Sequence, residues 1–136
     1  MERLAGRLQH YDWGSLTALA DLRGAEPSGL PEAELWFGAH RARSSEVVDG
    51  RAPEGVDLRD VADLPYLVKL LAADRPLSLQ VHPDAMAAAD GYRREEGAGI
   101  GRGDATRSFP DPGPKPELLC AVTRFEALCG FRPVPE

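Results

Sequence analysis

Three polar residues, Ser78, Gln80 and His82, stand at alternating positions and could together line one side of a binding site. In an extended strand, side chains two residues apart leave the same face, so the apolar residues between them in RPLSLQVHP would anchor the opposite face. An imidazole nitrogen and an amide oxygen on one face can both reach a single metal ion. From spacing alone, a metal site and a hydrogen-bonded structural histidine both remain open.

A carboxylate and an amine follow in the segment KPELL, where Glu117 lies two residues after Lys115. If this segment is extended, the anion and the cation face the same cavity. A carboxylate on a strand that neighbours His82 would add a third metal ligand, and Glu117 is the candidate for that position.

Five other reactive residues lie outside that cluster. Lys69 stands inside the apolar run PYLVKLL, where an ammonium group needs a partner or a polar cavity, so a snorkelling edge-strand lysine and a pocket lysine are both open. His10 and His40 are predicted to have surface or packing roles. Cys120 and Cys129 form no CxxC pair and are predicted to be reduced thiols buried in the core.

The elements that must position these residues are short. Ser15 begins a helical pattern that Gly24 ends, and a second helix is predicted over residues 84–96, where Gly91 is expected to weaken the helix and to end it early. The Gly- and Pro-rich stretch that follows predicts a long loop, a candidate lid or pocket edge. Strands are predicted within AELWFGAHRARSSEVV, PYLVKLLAA, RPLSLQVHP and ELLCAVTRFEALCGFRP, with a short helix in LRDVADL. The arrangement favours a β-rich α+β fold.

Length and charge limit the classes of protein to which this chain can belong. A chain of 136 residues predicts one domain. Sixteen Lys and Arg against twenty-two Asp and Glu give a net charge of −6, which argues against a nucleic-acid partner but not against a small phosphorylated ligand. The opening stretch lacks the apolar core of a signal peptide, and no apolar run reaches membrane-spanning length, so a cytoplasmic location without a membrane partner is predicted.

Four segments resemble the type I mannose-6-phosphate isomerase family in sequence and in order. They are YDWGS at 11–15, AELWFGAH at 33–40, LPYLVKLLAADRPLSLQVHP at 64–83 and KPELLCAVTRFEALCGFRP at 115–133. The resemblance implies that residues 1–136 form the amino-terminal, catalytic-type domain of such an enzyme. The fold it implies is part of a cupin-like jelly-roll barrel with short helices, incomplete because the sequence stops before the remaining strands.

The resemblance also implies a zinc site. In that family the Gln and His of the QxHP strand and the Glu of KPE hold a catalytic zinc, which points to Gln80, His82 and Glu117 as ligands of one Zn²⁺ per chain. The family's second histidine ligand and a catalytic arginine come from later segments that are not found in this sequence. A complementing segment or self-association is therefore expected to complete the site.

The implied reaction is the interconversion of mannose 6-phosphate and fructose 6-phosphate, in which a proton moves between C1 and C2 through an enediol. Lys115 matches the lysine beside the family's zinc carboxylate, where a cation can stabilise the enediolate or transfer a proton. Ser78 and Lys69 match pocket-lining positions that suit hydroxyl or phosphate contacts.

Two alternative functions remain open beside this one. The first is a non-catalytic metal- or sugar-binding remnant with a β-barrel-like core, and the second is a different small metalloenzyme of the cupin type. The chain also departs from the family in two loops. Asp84 and Ala85 stand where a lysine is common, and Gly113 and Pro114 precede Lys115 where Asn-His is common.

Overall fold

A computed structural model describes residues 2–41, 43–50, 52–77 and 79–130. The chain divides into two compact units, a first unit of Met1–Leu79 and a second unit of Gln80–Glu136. The first unit contains the β-structure, and the second contains the longer of two α-helices together with the candidate metal ligands.

Five short antiparallel strands build the first unit. They are β1 (Arg3–Ala5), β2 (Arg7–Gln9), β3 (Glu34–Phe37), β4 (Glu46–Asp49) and β5 (Val68–Leu71). One sheet pairs β1 with β4, and the other has the order β2-β3-β5. The strands predicted within AELWFGAHRARSSEVV are confirmed as β3 and β4, and the strand predicted in PYLVKLLAA is confirmed as β5. Strand β5 lies at an edge of its sheet.

A short helix, α1 (Ala18–Arg23), packs into the core of the first unit through Leu19 and Ala20. It ends at Gly24, which adopts the left-handed conformation that glycine accepts without steric cost. Ser15 precedes the helix by three residues, and its hydroxyl oxygen accepts the backbone N–H of Ala18 at 3.2 Å. The predicted helix is therefore confirmed, with a later start than Ser15. The short helix predicted in LRDVADL is confirmed as a 3-10 helix, Leu58–Asp60.

A buried ion pair ties α1 to the chain before β3. Glu32 is 1% exposed, and its Oε2 accepts a hydrogen bond from the Arg23 guanidinium at 2.5 Å. Burial raises the pKa of Glu32, but hydrogen bonds from Arg23 and Ser28 together outweigh burial, so the pKa lies below its ordinary value. The folded protein therefore favours the ionised carboxylate.

This lowered pKa makes the first unit sensitive to acid. Because the unfolded chain takes up a proton at Glu32 before the folded chain does, the free energy of unfolding falls as the pH drops through and below the ordinary pKa of a glutamate. We expect Glu32→Gln to flatten that decline, measured by urea unfolding across this pH range. Glu54→Gln, at an exposed carboxylate of the same unit, is the control and should leave the decline unchanged. Equal slopes for Glu32→Gln and the unaltered chain would contradict the assignment.

The second unit is built around helix α2 (Ala85–Gly97). The Asp84 carboxylate caps its start by accepting the N–H of Ala87 at 2.8 Å. The helix predicted over residues 84–96 is confirmed, but the expectation that Gly91 ends it early is wrong. Ala88, Gly91 and Glu95 form its buried face. Within the described ranges, no helix is long and apolar enough to cross a membrane.

The long loop after α2 folds back onto that buried face. Its anchor is Arg107, whose side chain is 2% exposed and donates to the carbonyl oxygens of Phe109 at 2.9 Å and Ile100 at 2.6 Å. The same guanidinium binds the Glu96 carboxylate at 2.7 Å. Glu95 in turn accepts the N–H of Phe109 at 2.8 Å. The loop is thus held to the helix by hydrogen bonds at both its backbone and its side chains.

Gly91 is the point of closest approach between helix and loop. A Cβ added there would lie 2.5 to 2.6 Å from three ring atoms of Phe109, well inside normal contact distance. We expect Gly91→Ala to destabilise the second unit by about 1–3 kcal/mol, the range for overpacking. Gly97→Ala in the same helix meets nothing within 4 Å and should stabilise it by up to about 1 kcal/mol. The free energy of unfolding of each variant is measured by chemical unfolding, with hydrogen exchange of the α2 amides as the probe. Equal changes in Gly91→Ala and Gly97→Ala would refute the packing argument.

The strands predicted in RPLSLQVHP and in ELLCAVTRFEALCGFRP are not found in the part of the chain that the structure describes, and residues 131–133 lie outside that part. Residues 79–84 and 117–130 contain no strand in the described part of the chain. A strand needs a neighbour to bind its backbone N–H and C=O groups, and no strand pairs with either segment among the described residues. Leu79 is 86% and Leu118 is 90% exposed instead of packed. Cys120 and Cys129 lie in the same unpaired stretch and are exposed, not buried.

Candidate functional site

Two of the predicted metal ligands lie side by side in the second unit. His82 Nδ1 is 3.8 Å from Glu117 Oε2, although 35 positions separate the two residues in sequence. Two ligand atoms on a tetrahedral zinc stand about 3.4 Å apart, given the usual bond lengths near 2.1 Å. The observed separation exceeds that spacing by only about 0.4 Å. The nitrogen and carboxylate donors therefore fit one zinc ion with a small side-chain adjustment.

A small cavity adjoins this pair. It has a volume of about 190 Å³ and is lined by Val81, His82, Pro83, Ala88, Ser108, Phe109, Pro110, Asp111, Gly113 and Lys115. Pockets that enclose a whole small ligand run from about 300 Å³ upwards. The second unit by itself thus offers room for one end of a sugar-sized ligand.

Lys115 stands on the cavity wall with its ammonium group tied to Asp111. The Nζ atom lies 3.0 Å from Asp111 Oδ1 and 2.9 Å from Oδ2. Both side chains are partly exposed, so the pair is accessible from the cavity. This places a cation, an imidazole and a carboxylate around one recess whose other walls are largely apolar.

Local sequence explains how the side chains reach the cavity. His82 is followed by Pro83 and by the helix-capping Asp84, so the histidine sits immediately before α2. Lys115 and Glu117 flank Pro116 at the end of the loop, two residues apart, as the sequence predicted. The described residues 79–83 do not form the extended strand expected to present His82, and the residue lies at the start of α2 instead.

The other predicted site residues are placed differently. Gln80 is exposed and does not line the cavity in the described part of the chain. Ser78 lies outside the described residues. Among the described residues, no group of three or more His, Cys, Asp and Glu side chains is arranged to hold a metal ion. Over the described ranges, the second unit therefore brings together two of the predicted ligands, His82 and Glu117, and not a full set.

Lys69 belongs to the first unit, on edge strand β5, and has partners there. Its Nζ lies 3.9 Å from Glu34 Oε1 and 5.0 Å from the ring centroid of Trp36, its cross-strand neighbour. Trp36 also donates to Glu34 at 2.6 Å and packs edge-on against His40. The surface or packing roles predicted for the two histidines are confirmed, because His40 packs against Trp36 and the exposed His10 contacts the carbonyl oxygen of Pro31.

Sequence reasoning missed the residues that shape the cavity. Asp111, Phe109 and Arg107 belong to a stretch predicted only as a loop. The signal for Asp111 was present in DPGPK, because an acid four residues before a lysine in a proline-rich turn can fold back onto it. Arg107 gave no such signal, since its partners lie on a helix eleven and twelve residues earlier.

The chain is a β-rich protein with short helices, and its second unit places a histidine and a carboxylate, both donor types that zinc takes, beside a cavity that Lys115 lines. Residues 1–134 match the phosphomannose isomerase type I catalytic domain, and the chain belongs to this family.

Individual relatives agree with that assignment. Mannose-6-phosphate isomerase of Escherichia coli K12 is 42% identical, over 100% of this chain and 39% of its own length. The Homo sapiens enzyme of the same name is 30% identical, over 98% of this chain and 35% of its own length. A Salmonella typhimurium mannose 6-phosphate isomerase, crystallised with its substrate and zinc, has a TM-score of 0.73 and 40% identity, over 85% of this chain and 33% of that one. The chain spans well under half the length of these relatives.

Proposed function

We propose that this chain contributes part of the zinc site of an isomerase that interconverts mannose 6-phosphate and fructose 6-phosphate. The observation that carries the proposal is the 3.8 Å separation of His82 and Glu117 beside the cavity that Lys115 lines. The substrate and the zinc bound to the Salmonella typhimurium relative support the same chemistry. Because the chain spans 39% of the Escherichia coli relative, we expect weak zinc binding by the isolated chain and turnover only with further ligands.

The reaction moves a proton between C1 and C2, so negative charge develops on a sugar oxygen. The Lys115 ammonium, on the same cavity wall as His82, can stabilise that charge or donate a proton to the oxygen. His82 and Glu117 would hold the zinc. When bound, zinc supplies Lewis acidity that polarises a carbonyl oxygen.

Further parts of the proposal concern residues and architecture outside this pair. Gln80 is proposed as a third ligand, with Ser78 and Lys69 as substrate contacts. The remaining ligand would come from a complementing segment or a second copy of the chain. The proposed architecture is part of a cupin-like jelly-roll barrel, which fits the exposed apolar side chains of residues 117–130. The proposed location is the cytoplasm.

The proposal is tested by metal analysis coupled to an isomerase assay. The purified 136-residue chain is loaded with zinc, its zinc content is measured by mass spectrometry, and conversion of mannose 6-phosphate is followed. We expect zinc to bind without turnover. Zinc with turnover would show that the chain or its self-assembly supplies a complete site. Absence of zinc binding would overturn the proposed metal function of the chain.

A further inference from the structure

The Lys115 ammonium is directed towards its own loop. Besides the two Asp111 oxygens at 3.0 and 2.9 Å, the carbonyl oxygen of Gly113 lies 3.5 Å from Nζ. These contacts occupy most of the donor capacity of an ammonium group, which has three N–H bonds. The charges of Lys115 and Asp111 cancel on this part of the cavity wall. The cavity therefore presents a hydrogen-bond donor without a net positive charge.

The position of the Asp111 carboxylate is fixed by the loop itself. Its Oδ1 accepts the backbone N–H of Gly113 at 3.0 Å. Prolines on both sides of Asp111 restrict the backbone, because each fixes its own φ angle. Two residues earlier, Phe109 is packed against α2 at Gly91. Asp111 is thus held close to Lys115 by structure that does not depend on a ligand.

We propose that Asp111 determines which end of a sugar phosphate the cavity accepts. A phosphoryl group in contact with Lys115 would lie within about 5 Å of the Asp111 carboxylate and be repelled by it, whereas neutral hydroxyl and carbonyl oxygens are not. Asp111 therefore directs Lys115 towards the uncharged end of the ligand, where the isomerised carbons are. This inference rests on the proposed function of the cavity, and it assigns Asp111 as a specificity-determining residue.

The chain contains only two lysines, Lys69 and Lys115, which makes the contact directly observable. Uniform ¹³C labelling makes the ε-methylene group of each lysine visible by NMR and keeps all three N–H donors of the ammonium. The Lys115 signal is assigned by Lys115→Arg, and the Lys69 signal is an internal reference from the first unit. Zinc-free protein is titrated separately with inorganic phosphate and with fructose 6-phosphate. The apparent dissociation constant at Lys115 is measured for each probe.

We expect Asp111→Asn to tighten inorganic phosphate binding at Lys115 by about fivefold, the effect of removing one nearby like charge. The amide oxygen of asparagine can still accept the Gly113 N–H, so the loop keeps its shape. The ε-methylene signal of Lys115 should also narrow as the ammonium is released from Asp111. Asp111→Glu, which keeps the charge, should leave phosphate binding weak.

Asp104→Asn is the matched control. Asp104 lies in the same loop, and its carboxylate accepts the N–H and hydroxyl of Thr106 at 2.8 and 2.7 Å. The Asp104→Asn substitution also removes one negative charge. An equal gain in phosphate affinity in this variant would therefore mean a net-charge effect and overturn the inference. An unchanged phosphate affinity in Asp111→Asn would overturn it as well. If phosphate binding tightens but fructose 6-phosphate never perturbs Lys115, the role of Asp111 stands and the proposed sugar-phosphate function fails.

Discussion

We expect the replacement of Arg107 by methionine to lower the melting temperature of the second unit by about 10 °C or more. The side chain is almost fully buried and donates to two carbonyl oxygens and one carboxylate. Methionine fills much of the same volume but leaves these acceptors without their donor. Buried acceptors without a partner are costly, and so is a charge that has lost its counter-ion.

The measurement is thermal unfolding, together with hydrogen exchange of the α2 amides to report on this unit alone. Arg102→Met is the matched control, because Arg102 is largely exposed, donates an exposed hydrogen bond to the Tyr92 hydroxyl at 2.7 Å and lies 3.9 Å from Glu96. It should shift the melting temperature little. Arg107→Lys keeps the charge but loses the planar guanidinium, so its melting temperature should lie between those of Arg102→Met and Arg107→Met. Equal behaviour of Arg102→Met and Arg107→Met would refute the anchoring role.

The anchor matters for the site because the same loop forms the cavity wall. Ser108, Phe109, Pro110 and Asp111 follow Arg107 directly and line the recess beside His82. The Glu95 carboxylate accepts hydrogen bonds from the backbone N–H groups of Ser108 and Phe109. These hydrogen bonds and the nearby Arg107 guanidinium hold the pKa of Glu95 below its ordinary value, although desolvation acts in the opposite direction. The loop that the sequence suggested as a lid or pocket edge is an edge in this structure.

Sequence patterns predicted two kinds of element: those that are strongly apolar, and those whose start and end signals lie close together in the chain. The strands β3 and β5 carry apolar residues that pack in one sheet, and α1 has a clear start and a glycine stop. The strands β1 and β2 were missed because each has only three residues, RLA and RLQ, which is too short to show an alternation of polar and apolar residues. Their pairing with β4 and β3 is a property of the folded unit.

The wrong strand predictions share one physical cause. Alternation in RPLSLQVHP and apolarity in ELLCAVTRFEALCGFRP describe what a segment prefers when a neighbouring strand is present. The described residues give neither segment such a neighbour, so their apolar side chains remain exposed. The predicted proximity of His82 and Glu117 does not depend on these strands, because the two residues lie at the start of α2 and at the end of the loop, 3.8 Å apart.

The largest functional effect is expected at that pair. His82→Ala and Glu117→Gln should each weaken zinc binding by more than about 100-fold, since removal of a direct ligand exceeds the 10- to 100-fold losses seen for outer-sphere partners. The reason is geometric. With two ligands 3.8 Å apart, loss of either one leaves a single donor of the pair. Competition with a zinc-binding dye of known affinity measures the change.

His10→Ala is the control for the loss of an imidazole, because His10 is exposed in the first unit and contacts the carbonyl oxygen of Pro31. It should bind zinc as the unaltered chain does. If His82→Ala binds zinc normally while Glu117→Gln does not, the site uses the carboxylate with other donors, and the histidine assignment is wrong. If all three variants bind equally, zinc lies elsewhere. Only a joint loss in His82→Ala and Glu117→Gln, with His10→Ala intact, supports one ion held between the start of α2 and the end of its loop.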